Sequence, residues 1–154
     1  MESKDTFINE LKEFNVHHDN RLRVMKNAVK GLVPQEEACV KLFDCPIHQW
    51  MEGRKPLLNK IYGSENIKVL EARHAEWHEQ SDKVCEILSS KSEKSGGLLG
   101  KVFGKKQEIN EGELDKAMSY VTDLKELTDT IDSTFGRMIK RANAIQSDMF
   151  EKNQ

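Results

Sequence analysis

The chain has few of the residues that interrupt or staple a fold. Three prolines and nine glycines in 154 residues leave long stretches without a breaker, which favours extended amphipathic helices over many short strands. Cysteines number three, an odd count that does not suggest a disulfide framework, so Cys39 and Cys85 read as buried or idle thiols. Charge of one sign is also absent: 24 Lys and Arg face 26 Asp and Glu, interspersed, for a net charge of -2. No basic patch calls for nucleic acid. No apolar run approaches the roughly 20 residues that span a bilayer. The opening Met1-Glu2-Ser3-Lys4-Asp5 lacks a charged-then-apolar signal region, so a cytoplasmic protein is expected. At 17.7 kDa, one domain covering 1–154 is expected, large enough to bury a core unaided.

What is present is a set of metal-ligand residues. His74-Ala75-Glu76-Trp77-His78 places two histidines at i and i+4 of a helix, one turn apart on one face, with Cβ atoms roughly 6 Å apart. Two histidines four apart also arise by chance, so the pair alone has a bland reading as helix surface. Cys45 and an upstream histidine would complete a tetrahedral set of the soft N and S donors that Zn2+ prefers.

The upstream histidine is chosen by periodicity. A first helix is expected from Ser3 or Asp5 to Val33, ended by Gly31 and Pro34. Its stripe is Ile8, Leu11, Asn15, His18, Leu22, Met25, Val29 and Leu32, spaced 3, 4, 3, 4, 3, 4, 3. His18 falls in the stripe, whereas His17 lies about 100° away, toward solvent or a helix flank. A histidine in such a stripe is more often a satisfied core residue than a ligand, so His18 leans on its companions downstream.

The next stretch, Gln35 to Phe43, is weakly periodic and reads as a short helix or an irregular connection. Asp44-Cys45-Pro46 reads as a helix start, with Asp44 as the cap and Pro46 in the first turn. Cys45 then sits at a helix N-terminus, where partial positive charge and a bound Zn2+ both favour the thiolate. Ile47, Trp50 and Met51 form the apolar side of this short helix and Gly53 ends it. After the turn at Tyr62-Gly63-Ser64, a long helix to about Ser90 carries Ile67, Leu70, His74, Trp77, Ser81, Val84 and Leu88 in one stripe. His78 flanks that stripe.

Residues 92–107, with four glycines, read as a flexible loop; they lack the Gly-Lys-Ser/Thr ending of a phosphate loop. Asn110 and Glu113 suggest the cap of a last helix reaching Phe150, with the stripe Ala117, Val121, Leu124, Thr128, Ile131, Phe135, Met138, Ala142, Ile145 and Met149. Unbroken, it would span roughly 60 Å against about 45 Å for the first helix. Ala142, Ile145, Met149 and Phe150 would then overhang, so a homodimer or a docked partner helix is expected to cover them unless the helix breaks near Gly136.

A histidine on the first helix, then Cys45-x-x-x-x-Trp50, then His74-x-x-x-His78 resembles the chemoreceptor zinc-binding (CZB) domain of bacterial signalling proteins, over roughly residues 10 to 90. The chain departs from the family pattern at His48, where the family has Gly. The resemblance implies an all-α, antiparallel four-helix bundle holding Zn2+ through His18, His74, His78 and Cys45, with no catalytic residues. It also implies a part in regulating chemotaxis or cyclic-dinucleotide synthesis. No output domain is recognisable, so a separate signalling partner is expected. Four protein ligands leave no open position for water, which argues against a hydrolase. Protonation of the imidazoles below about pH 6, or oxidation of the thiolate, would each weaken binding. His48 could serve as a spare ligand or face solvent. Two rivals come from other classes. One is a di-iron oxygen-binding bundle, for which Glu71-x-x-His74 supplies one half-motif and no second. The other is a metal-free helical interaction module.

Overall fold

The computed structural model describes residues 3–95 and 111–151. The loop expected at 92–107 and the cap expected at Asn110 lie mostly or wholly outside the described residues. Among those described the regular structure is all helical, with no strand.

Helix α1 (Lys4–Phe14) starts under a side-chain cap: the Ser3 hydroxyl accepts from the Thr6 amide at 3.1 Å. The single first helix expected to Val33 is instead two. The chain turns at Asn15-Val16 and resumes as α2 (His17–Val29). Asn and β-branched Val are poor helix formers, and the Val16 amide reaches Glu13 O at 3.4 Å, a bond of three-residue span. Ile8, Leu11, His18, Leu22, Met25 and Val29 are buried as the stripe requires, but Leu32 is 71 % exposed. Gly31 is the reason. At φ +75° it closes α2, with its own amide on Ala28 O and the Leu32 amide on Asn27 O, and so turns Leu32 out of the seam.

Helix α3 is a single turn (Gln35–Ala38), followed by a 3-10 turn (Leu42–Asp44) and α4 (Pro46–Gly53). Cys45 itself is the N-cap residue of α4, so Asp44 does not cap it. A helix not expected from the sequence follows, α5 (Lys55–Tyr62), with Pro56 in its first turn and Leu57, Leu58 and Ile61 buried. Gly63, at φ +87°, ends it.

The long α6 (Ser64–Ser95) buries every residue of its expected stripe, His74 and Ser81 included. It packs along α7 (Glu111–Ala144), which also receives α1 and α2, while α5 lies on α6. The last helix is not continuous to Phe150. It stops at Ala144, and α8 (Asp148–Glu151) turns back so that the Phe150 ring packs tilted against Phe7 with centroids 5.2 Å apart. The Lys4 ammonium donates to Asn143 O at 2.8 Å and Ile145 O at 2.6 Å, satisfying carbonyls at the end of α7. Ala142, Ile145 and Phe150 are therefore buried within the chain, and the overhang from which a dimer was expected does not form. The break falls after Ala144 rather than near Gly136.

Candidate metal centre

Three helices bring His18 (α2), Cys45 (at the head of α4), and His74 and His78 (α6) into one buried cluster, whose potential ligand atoms all lie within 4.8 Å of one another. His18 is fully buried and the other three nearly so. The Cys45 sulfur is 3.4 Å from His74 Nε2. Bond lengths of about 2.0–2.3 Å around a tetrahedral zinc place ligand atoms roughly 3.3–3.7 Å apart, so that pair already has ligand spacing and the widest pair must close by about 1 Å.

Three further polar atoms of the cluster are unpaired among the described residues. Both ring nitrogens of His18 and Nε2 of His78 are buried with no hydrogen-bond partner among the described residues. Such orphans are uncommon in folded proteins because each loses its bonds to water without replacement. A cation drawing on the lone pair of one nitrogen in each ring supplies what is missing at His18 and His78, and imidazole nitrogen and sulfur are donors zinc takes. Among the described residues no carboxylate joins the group. Glu71 is turned to an ion pair with Lys55 at 2.9 Å.

The tautomer of His78 is set by the backbone. Its Nδ1 lies 3.0 Å from Val40 O, and a carbonyl can only accept, so Nδ1 carries the proton and Nε2 keeps its lone pair for the cluster. Trp77 covers the site: its ring centroid is 4.6 Å from that of His18 and 5.1 Å from that of His78. The indole is held in turn, since Nε1 donates to Thr128 Oγ1 at 2.9 Å and that hydroxyl donates to Leu124 O at 2.7 Å.

Electrostatics keep the imidazoles neutral. Burial, then the neighbouring histidines, pushes His18 down to about 2, and burial followed by His78 pushes His74 down to about 3. His78 is lowered by burial too, partly offset by its bond to Val40. Neutral imidazole is the form that binds metal. For Cys45 the two effects expected from the sequence separate. Burial raises its thiol, and the backbone amides of His48 and Ile47 at the head of α4 only partly counter that. The helix terminus alone does not yield a thiolate; the cation itself would have to supply the remaining stabilisation.

His17 and His48 stand outside the cluster. His17 is half-buried, edge-on to His18 at 5.3 Å, and the His48 ring packs against exposed Phe43 at 5.2 Å. Helix α4 is firmly anchored. Ile47, Trp50 and Met51 are buried, Trp50 Nε1 donates to Glu10 Oε2 at 2.6 Å, and Arg54 donates to Glu10 Oε1 at 3.0 Å. A separate groove of about 650 Å3 between α5, α6 and α7, lined by Tyr62, Arg73 and Arg141 among others, contains none of the four residues.

Two features had no signal in the sequence. Cys39 and Cys85 are joined in a disulfide, with Cα atoms 6.0 Å apart, and are not idle thiols; Cys45 is the free cysteine. The Val40 carbonyl on His78 is the other, since backbone groups leave no residue-type signature. Comparisons with protein-family models, curated proteins and solved structures find no match for this chain.

Proposed function

We propose that this chain is a zinc-binding regulatory module of the CZB type, in which His18, Cys45, His74 and His78 hold one Zn2+ and no substrate. The observation that carries the reading is the convergence of these four buried side chains with orphaned ring nitrogens among them. Three neutral imidazoles and a thiolate around Zn2+ leave a site charge of +1 and no ligand position for water, the arrangement of structural and regulatory centres rather than hydrolytic ones. The tandem α1 and α2, with α6 and α7, form the frame that we read as the antiparallel four-helix bundle of that family, with α4 as the added helix bearing the cysteine.

The module acts by changing the state of its centre, through zinc exchange or through oxidation of Cys45, and passes that change to a separate signalling protein. A homodimer built on an overhanging C-terminus loses its premise, because α8 covers that end. Elemental analysis of the untagged protein tests the reading: we expect one zinc per chain and no iron, with loss of zinc in Cys45→Ser. Two irons per chain would point to a di-iron bundle, and a metal-free protein indifferent to chelators would point to a plain interaction module.

A further inference from the structure

The segment from Gln35 to Lys41 lies along one face of α6. Gln35 meets Ser89, Cys39 meets Cys85, Lys41 meets Asp82 and the Val40 carbonyl meets His78. Positions 78, 82, 85 and 89 are spaced 4, 3, 4, one stripe of a helix, so this strap crosses α6 on the side where His78 enters the cluster. Four residues past the strap stands Cys45. Its attachments differ in strength. The Lys41–Asp82 pair is exposed and of a kind that contributes little. Ser89 to Gln35 is a 3.5 Å contact at the limit for a hydrogen bond, and Arg21 donates to the Glu37 carbonyl on the exposed side. The disulfide is the one covalent tie, and it joins the residue adjacent to Val40.

We propose that Cys39 and Cys85 are redox-active positioning residues for the metal centre, and that their disulfide holds the Val40 carbonyl on His78 Nδ1. Closing the S–S bond keeps His78 in the tautomer whose Nε2 faces the cluster. Opening it leaves the strap with non-covalent contacts alone, buried Ala38 and exposed polar pairs among them, so the Val40 carbonyl can leave His78 and the imidazole is free to change tautomer and orientation. Partners of this kind to a ligating histidine typically change metal affinity about 10- to 100-fold. The exchange balances with a low-molecular-weight disulfide as oxidant. The two protein thiols give up two protons and two electrons to form one S–S bond, the small disulfide is cleaved to two small thiols, and the reverse reaction opens the strap. Cys39, half-buried where Cys85 is buried, is the sulfur that the small partner would reach. This inference rests on the metal reading above, and its tests are separable from it.

The full chain, loaded with Zn2+ alone, is compared in its disulfide form, after reduction by a small dithiol, after re-oxidation by a small disulfide, and as the double variant C39S/C85S. We expect zinc release to a chromophoric chelator to be about 10- to 100-fold faster in the reduced form and the double variant, and restored by re-oxidation of the wild type. Equal release rates in folded disulfide and reduced protein overturn the proposal while leaving the metal reading intact. In the metal-free protein, 15N signals of the His78 ring give a readout that stability alone does not move: an Nδ1-protonated tautomer in the disulfide form and a mixture after reduction. An unchanged tautomer likewise refutes it. Failure of the disulfide form to retain zinc refutes the metal reading instead, with the tautomer shift still deciding whether the strap positions His78. Should the double variant fail to fold, the reduction and re-oxidation of the wild type carries the test.

Discussion

The two sides of the candidate centre are built differently. On one side His74 and His78 share a long helix, one turn apart, and Trp77 between them is locked through Thr128 to α7. Their geometry follows from the helix repeat and needs nothing distant. On the other side Cys45 and the Val40 carbonyl sit on irregular backbone between short helices, where contacts and one disulfide hold what no repeat can. His18, on α2 beyond the turn at Asn15-Val16, closes the set. The two nitrogen donors on α6 are thus pre-arranged by local structure, whereas His18, the sulfur and the orientation of His78 depend on chain segments far apart in sequence being kept in register. Such segments are where chemistry outside the protein can intervene.

The comparison can be broken hardest with acid. Unfolded histidines take up protons near their ordinary value of 6.5, but folded His18 and His74 refuse them until about 2 and about 3, so the unfolded chain binds more protons in that window. Stability of the metal-stripped protein is thus complete above pH 6.5 and falls as pH drops toward 3. Circular dichroism melts across that range should show steep loss, and bound zinc should push the onset lower; a flat profile in the stripped protein would contradict neutral buried imidazoles. The strap side alone is weakened by C39S/C85S. The disulfide closes a 46-residue separation, and the loop-entropy estimate for that length is about 4 kcal/mol of unfolding free energy, readable by urea titration of the metal-free protein.

On the helix side, His74→Ala should cost on the order of 10²-fold or more in zinc affinity, roughly one donor's share of a structural site, measured by competition with a chelator. The fold should survive with metal absent, since the substitution removes a polar group whose burial is itself costly. The smallest effect expected is Thr128→Val. It keeps the volume but leaves the Trp77 indole N–H unpaired, at a cost of about 1–3 kcal/mol in thermal unfolding, with a smaller change in zinc binding. If zinc binding falls more than stability, Trp77 positions the histidines as well as covering them.

Local repetition explains how much of this was legible in the sequence. The stripes of α2, α6 and α7 could be read because burial follows the 3.6-residue period, and the same stripes separated His18 from His17. Weak local signals misled. Asn15-Val16 breaks a helix whose apolar stripe runs straight through the turn, so periodicity alone hides it. Helix α5 spans only eight residues, too few for a pattern to stand out beside Pro56. Cys39 and Cys85 carry no mark of pairing, because an odd count argues against a disulfide framework until the strap is seen against α6. The fold-back after Ala144 is decided by Phe7 and Lys4, at the other end of the chain.

By itself the sequence determined helix faces, the turn-spaced histidine pair and the placement of a cysteine at a helix start, since these depend on neighbours within a turn or two. Only the tertiary structure decided that His18 meets the other three, that α4 is anchored through Glu10, that Val40 sets the tautomer of His78, and that two of the cysteines pair. Each of those joins residues tens of positions apart, and only burial of a shared core, which offsets the entropy of bringing them together, could select them.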